Sequence, residues 1–340
     1  MEILGIDIGF GFTKATNGKD FLVFKSVFGE AAELQFQENI LGGEGGEEHL
    51  QMELGGRSLF LGELAERQSQ VRFFTLDQAN FVRDHAQALA LGAGSRLVGS
   101  HIPVNVVTGL PIGFYRQHKE ELTRLLQGEH PLVLVGPGGK RQEKTLSVNK
   151  VRVIPQPFGS LFNLMLNDLG EVGDKRLVKE KIGIIDVGFR TCDFTISDRM
   201  RYSERGSRTT DSGISKAFGF ISGKLREKSG VNIELFRLFE AVERGGIKIH
   251  GQEYDLKGLT DQTFGQLAAT VAGEAERLWA DDWDLDSIVI TGGGGAVLGR
   301  YLLPLLRGKV LPLEAGQDAR LNNVRGYWKF GRHITARTGS

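Results

Sequence analysis

Asp7-Ile8-Gly9-Phe10-Gly11-Phe12-Thr13-Lys14 closes the first apolar run of the chain, and Asp186-Val187-Gly188-Phe189 closes another at an offset of 179 residues. Each stretch puts a carboxylate near the end of a strand-like run, 3–8 and 182–187, and then turns on glycine. After the first turn, runs 12–16 and 20–25 flank Asn17-Gly18, a strong two-residue hairpin signal. After the second, runs 191–197 and 200–204 flank Asp198-Arg199. Two meanders of one design at a fixed offset read as an internal duplication. Two related halves each carry a sheet in this reading, with their first hairpins facing each other.

The residue types point to anion chemistry. Glycines at a strand-to-strand turn let backbone N–H groups approach an anion with no Cβ in the way. Lys14 adds positive charge beside them, and a carboxylate at the strand end can hold a hydrated Mg²⁺. One such motif alone reads equally well as an ordinary hairpin with a surface lysine. The second copy, with Thr191 and Asp193, reads also as a hairpin inherited by duplication. Inheritance does not explain why both copies keep an acid at an apolar strand end, where an unpaired charge is costly. A metal–phosphate between them does. The third signal is Ile288-Val289-Ile290-Thr291-Gly292-Gly293-Gly294-Gly295, a strand (287–291) and four glycines before a helix expected over 296–303. It suggests a flat backbone surface against a ligand near a helix N-terminus, or else a flexible turn. No Gly-x-Gly-x-x-Gly occurs in either hairpin loop, and the first turn joins two strands, so the dinucleotide pattern is excluded.

The rest of the chain alternates strands and helices, a mixed α/β architecture. Strands are expected at 104–108, closed by Gly109-Leu110-Pro111, and at 151–154, stopped by Pro155. Helices are expected at 112–127, 158–169, 211–228, 233–244, 260–280 and 319–330. The charged stretch 168–181 is the boundary between halves. Residues 41–56, rich in glycine and glutamate, read as a mobile loop leading into a hairpin of 51–54 and 58–62. Trp279, Trp283 and Trp328, near expected helix ends, read as packing residues.

Composition sets the outer limits. The chain has 340 residues with 42 Lys+Arg and 42 Asp+Glu, so bulk basicity gives it no grip on nucleic acid. A lone cysteine, Cys192, makes no internal disulfide, and no Cys/His cluster has zinc-ligand spacing. No basic-then-apolar leader or apolar run of membrane-spanning length is seen, so a cytoplasmic location without a membrane span is expected. Glycine is the outlier, 47 residues or about twice the usual share. The seven histidines are scattered, and Arg199, Arg201, Arg205 and Arg208 read as a solvated face.

In this order the motifs resemble the nucleotide site of the actin superfamily: residues 5–14 its first phosphate loop, 184–193 its second, 288–295 its adenosine loop. Within it the chain is similar to bacterial and archaeal actin-like proteins of the ParM/StbA type. The stretches that carry this are 9–14, Gly55-Gly56-Arg57 through Ala65, Thr108–Pro111, and Asn322-Asn323-Val324-Arg325-Gly326-Tyr327. The resemblance implies a duplicated, ribonuclease-H-like two-domain fold with a central nucleotide cleft. Domain I would comprise 1–167 plus about 312–340, with a small insertion over about 26–75, and domain II 168–311. It implies ATP or ADP with Mg²⁺, the metal organised by Asp7 and Asp186 largely through water. Lys14 and the N–H groups of Gly9, Gly11, Gly188 and Phe189 would hold phosphate. Phe10, Phe12, Arg190, Thr191, Gly213, Gly292, Gly293 and Gly294 complete the implied nucleotide site. Gln156 would position the attacking water, although from spacing alone it reads also as a helix cap. The implied activity is slow ATP hydrolysis coupled to filament assembly, for plasmid or DNA segregation or as a cytoskeletal scaffold. Its partners would be other copies of itself and a DNA-binding adaptor, with no direct nucleic-acid binding. A small-molecule kinase of the same superfamily and a non-polymerising nucleotide-sensing scaffold are the alternatives.

Overall fold

The computed structural model describes residues 2–32, 49–311 and 318–338. It opens with the meander β1 (Glu2–Ile8), β2 (Phe12–Thr16) and β3 (Phe21–Lys25). β4 (Phe28–Glu30), β5 (Gln51–Leu54), β6 (Arg57–Leu61), helix α1 (Gly62–Gln68) and β7 (Arg72–Phe73) follow. α2 (Gln78–Asn80) runs through a π turn at Phe81–His85 into α3 (Ala86–Leu97). β8 (Pro103–Leu110), α4 (Ile112–Leu126), β9 (Gly128–Val135), β10 (Arg141–Pro155) and α5 (Pro157–Met165) end the first half. The second half repeats the plan with β11 (Lys181–Val187), β12 (Cys192–Asp198), β13 (Arg201–Thr210), α6 (Ser215–Ser229) and α7 (Phe239–Arg244). The hairpin β14 (Gly246–Ile249) and β15 (Gln252–Asp255), then α8 (Lys257–Leu278), β16 (Ser287–Thr291), α9 (Gly292–Leu302), β17 (Val310–Leu311) and α10 (Asn322–Thr338) complete it.

The duplication holds at the level of sheets. The second sheet has the order β13-β12-β11-β16-β17, and the first contains the matching set β3-β2-β1-β8-β10. In both, two antiparallel pairings are followed by two parallel ones. The first sheet continues through β9-β5-β6-β4-β7. The turns match as well: Gly9 N–H donates to Phe12 O at 3.1 Å and Gly188 N–H to Thr191 O at 2.8 Å. Each sheet buries its own apolar cluster, and a third cluster joins the halves. There Val107 and Ile154 meet Ile184 and Val289 around Leu161 of α5 and Tyr327 of α10.

Several local expectations are corrected. The helix expected over 233–244 is broken into a short 3-10 turn, Leu235–Arg237, and α7, which Gly245 ends at φ +77°. The helix expected from 211 begins at Ser215, because Gly213, Ile214 and Ser215 donate back to the 188–190 turn. The four glycines at 292–295 are the first turn of α9 and not a loop before it. β10 spans 15 residues, pairing first with β9 and then with β8. Trp283 does not pack: it is 89% exposed. The 41–48 part of the glycine-rich stretch lies outside the described residues, and the hairpin after it is present, turning at Gly55 and Gly56 with positive φ. Among the described residues no helix is long and apolar enough to cross a membrane.

Candidate functional site

Asp7 and Asp186 are each the last residue but one of their strand, and both are buried. Across the hairpin Asp7 faces Lys14, and Asp186 faces Asp193. The repeat thus carries register as well as residue type, yet it sets a lysine in one half against a carboxylate in the other.

The two aspartates differ in their partners. Lys14 Nζ donates to Asp7 Oδ2 at 2.8 Å and Gln156 Nε2 to Asp7 Oδ1 at 3.3 Å. Asp7 is therefore not the unpaired charge that the sequence suggested. Among the described residues Asp186 has only a neutral partner, Asn323, whose Nδ2 donates to Oδ2 at 2.8 Å. Burial, with the negative charge of Asp7 nearby, pushes its pKa up to about 6. Asp193 accepts from Ile112 N–H at 3.0 Å and from the Thr209 hydroxyl, and burial pushes it up to about 7. Gln156 stands at the N-cap position of α5 but makes no side-chain cap bond, so its side chain serves Asp7 and not the helix.

A cavity of about 660 Å³ lies between the halves, and it is lined by every expected site residue except Gly213. Gly213 instead seats the second turn: a Cβ there would lie 2.2 Å from the Arg190 carbonyl carbon. The turns face each other, since a Cβ on Gly11 would lie 3.0 Å from that of Phe189. Arg190 crosses the cleft. Its Nη1 pairs with Asp211 at 2.6 Å, its Nε donates to Leu76 O, and it lies over the Phe10 ring at 5.8 Å. The N–H groups of Gly9 and Gly188 are consumed in closing their own hairpins, so they are not phosphate donors. Those of Phe10, Gly11, Phe189 and Arg190 meet no acceptor among the described residues.

Asn323 is the site residue that sequence reasoning missed. Its Oδ1 accepts from Ser160 N at 3.0 Å and from Ser160 Oγ at 2.7 Å, which fixes the amide so that Nδ2 faces Asp186. α10 comes this close to α5 because of glycine: a Cβ on Gly326 would sit 1.7 Å from Gly159 O. The stretch 322–327 marks the place, but the partner glycine and serine lie some 160 residues earlier.

Comparison with known proteins agrees with this fold. The family model of the N-terminal domain of actin-like proteins matches residues 5–159, and that of the C-terminal domain of archaeal MreB-like actin homologues matches 184–303. The chain belongs to the actin-like proteins. Among solved structures, a 15-stranded ParM filament from Clostridium botulinum is similar at 23% identity and TM-score 0.82, over 97% of this actin-like chain and 99% of that one. An archaeal actin homologue in complex with ADP is similar at 17% identity and TM-score 0.78, over 99% and 100%. Bacillus thuringiensis ParM with ATP is similar at 16% identity and TM-score 0.71, over 99% of each chain. At such identities the likeness is one of fold. No curated protein matches this actin-like chain in sequence.

Proposed function

We propose that the cleft binds ATP with Mg²⁺, hydrolyses it slowly, and that bound nucleotide drives head-to-tail assembly of the chain into filaments. The observation that carries this is the facing pair of turns, one end holding Asp7, Lys14 and Gln156, the other Asp186 and Asn323. The solved ADP and ATP complexes and the ParM filament of like fold support it.

The residues present fit a hydrated Mg²⁺. No cluster of three or more acidic, histidine or cysteine side chains suited to a metal occurs among the described residues. Mg²⁺ characteristically keeps several waters and is held by one or two carboxylates plus phosphate oxygens. Asp7 and Asp186 would hold it, and there it would neutralise charge on the phosphates. Lys14 and the turn-tip N–H groups of Phe10, Gly11, Phe189 and Arg190 would bind the phosphate oxygens. Gln156, anchored on Asp7, would orient a water, and a glutamine can do this without being a base. The outer part of the cavity, between the Gly292–Gly294 turn of α9 and Arg320, would take the nucleoside.

Domain I is assigned to 1–167 plus about 312–340, and domain II to 168–311. A cytoplasmic role in plasmid or DNA segregation through a DNA-binding adaptor, or as a cytoskeletal scaffold, follows the same reading. The test is two-fold. Phosphate release with Mg²⁺–ATP should be measurable in the wild type and lost in Asp186→Ala, with the thermal transition retained. Light scattering should rise above a critical protein concentration with ATP, and stay flat without nucleotide. Wild-type turnover in Asp186→Ala removes that residue from the site. A flat signal at all concentrations rejects assembly.

A further inference from the structure

We infer that Trp283 of one copy seats in a cavity at the far end of α8 of the next copy, and that this is the head-to-tail contact of the polymer; the inference rests on the assembly proposed above. Trp283 is 89% exposed, standing in the acidic loop 280–286 between α8 and β16. The loop beneath it is fixed. Asp282, buried, accepts from Arg205 at 2.6 Å and pairs with Lys181 at 2.9 Å. Asp286 accepts from Lys181 N at 2.7 Å, and the Trp279 indole N–H donates to Gly206 O at 2.9 Å. A large apolar side chain on a fixed base loses little conformational freedom on binding. Such residues, tryptophan above all, dominate interface energies. The loop carries surplus negative charge, with Asp281, Asp282, Asp284 and Asp286 set against Lys181 and Arg205.

The matching surface is a second cavity of about 550 Å³. Lys224, Leu225 and Lys228 of α6, Tyr254 of β15, and Leu256 and Leu259 at the start of α8 line it. Apolar walls beside Lys228, and beside Lys224 with its partner Glu227 at 2.7 Å, suit an indole flanked by carboxylates. Two acids also line it, but Asp255 is engaged by Lys257 N–H at 3.0 Å and Glu253 lies cross-strand from Lys248. The two features stand at opposite ends of one helix. α8 has 22 residues, about 33 Å at 1.5 Å per residue. Trp283 follows its last turn and cannot reach the cavity of its own chain. Two unlike patches at opposite ends make a heterologous contact, which repeats into an open filament unless rotation closes a ring.

The test uses the full chain with Mg²⁺–ATP. Trp283→Ala should raise the critical concentration about 30-fold or more, as loss of an interface hot spot does, and leave binding of a fluorescent ATP analogue unchanged. Trp283→Phe should fall between. Lys224→Glu/Lys228→Glu should likewise raise the critical concentration. In a mixture, the intact Trp283 of the lysine variant should enter the intact cavity of Trp283→Ala. Sedimentation should then show pairs but no polymer, with each variant alone monomeric. On wild-type assembly the tryptophan emission should shift to the blue, and Trp283→Phe should lose that shift. Assembly of Trp283→Ala at the wild-type critical concentration, or a mixture that stays monomeric, overturns this contact while polymerisation stands. A wild type that binds the analogue but stays monomeric overturns both.

Discussion

Asp193 occupies in the second half the place that Lys14 holds in the first, and the exchange sets how stability varies with pH. Its folded pKa is about 7 against an ordinary 3.8. The folded state keeps the proton where the unfolded chain has lost it, so stability falls as pH rises from about 4 to about 7 and stays low above that. Asp186, raised to about 6, acts in the same direction. Asp193→Asn cannot ionise, and its Oδ1 can still accept from Ile112 and Thr209. Without nucleotide or Mg²⁺ it should be more stable than wild type by about 2–4 kcal/mol at pH 8 and by much less near pH 4, at about 1.4 kcal/mol per pKa unit. Urea unfolding at the two pH values checks this, and parallel profiles would reject it. Gln156→Ala should lower kcat by about 10–100-fold with little change in KM, because an orienting group acts on the transition state. A raised KM with unchanged kcat would make it a binding residue. Much of the site was legible at this scale, because strand-end aspartates and turn glycines are local signals. Asn323 was not, since its role exists only where α10 meets α5. Nor was the occupation of the Gly9 and Gly188 N–H groups, which depends on how each hairpin closes.

Helix α9 shows how an element can be built against its own propensity. Four glycines open it, and Gly293, Gly294 and Gly295 each cost up to about 1 kcal/mol relative to alanine at a helical position. Close approach to β11 outweighs that cost. A Cβ on Gly292, at φ +83°, would lie 2.3 Å from Asp186 Oδ1, and one on Gly294 would lie 2.7 Å from Val187 Cγ1. Gly299 in the same helix has nothing within 4 Å of its would-be Cβ. Gly292→Ala should therefore destabilise by about 2–4 kcal/mol, from left-handed backbone strain and overpacking. Gly299→Ala should stabilise by about 0.5–1 kcal/mol. Thermal denaturation of the two variants decides, and equal shifts would refute the packing argument. The glycine run was readable as a flat backbone surface. That it is helical, and pressed on a neighbouring strand, depends on a parallel pairing of β11 with β16 about 100 residues apart. The β14–β15 hairpin went unread because its alternation is short and weakly apolar. The sheets were read better, since each meander is local and the second repeats the first.

At the scale of the molecule, the two halves are tied across the cleft mouth by several ion pairs and ring contacts. Lys25 of β3, almost fully buried, pairs with Glu66 of α1 at 2.8 Å and with Glu240 of α7, in the other half, at 3.0 Å. Arg237 pairs with Glu66 at 3.4 Å and Arg72 with Glu234 at 3.1 Å. Phe12 meets Phe239 with ring centroids 4.6 Å apart, and Phe74 meets Phe236 at 5.3 Å. A ligand as large as a nucleotide leaves a cleft of this kind only when the mouth opens, and opening breaks these pairs. Glu240→Gln removes one cross-cleft charge pair and leaves Lys25 its partner Glu66. The Glu240 side chain is 64% exposed, so its pair with Lys25 is worth about 1 kcal/mol or less. Global stability should barely move. Dissociation of a fluorescent ATP analogue should quicken by up to about 5-fold, the kinetic equivalent of that energy. The difference should shrink at high salt, where the exposed part of the pair is screened. Stopped-flow release at two salt concentrations reads both effects. A dissociation rate equal to wild type at low salt would show that the mouth is open while nucleotide is bound, and that these pairs do not gate it.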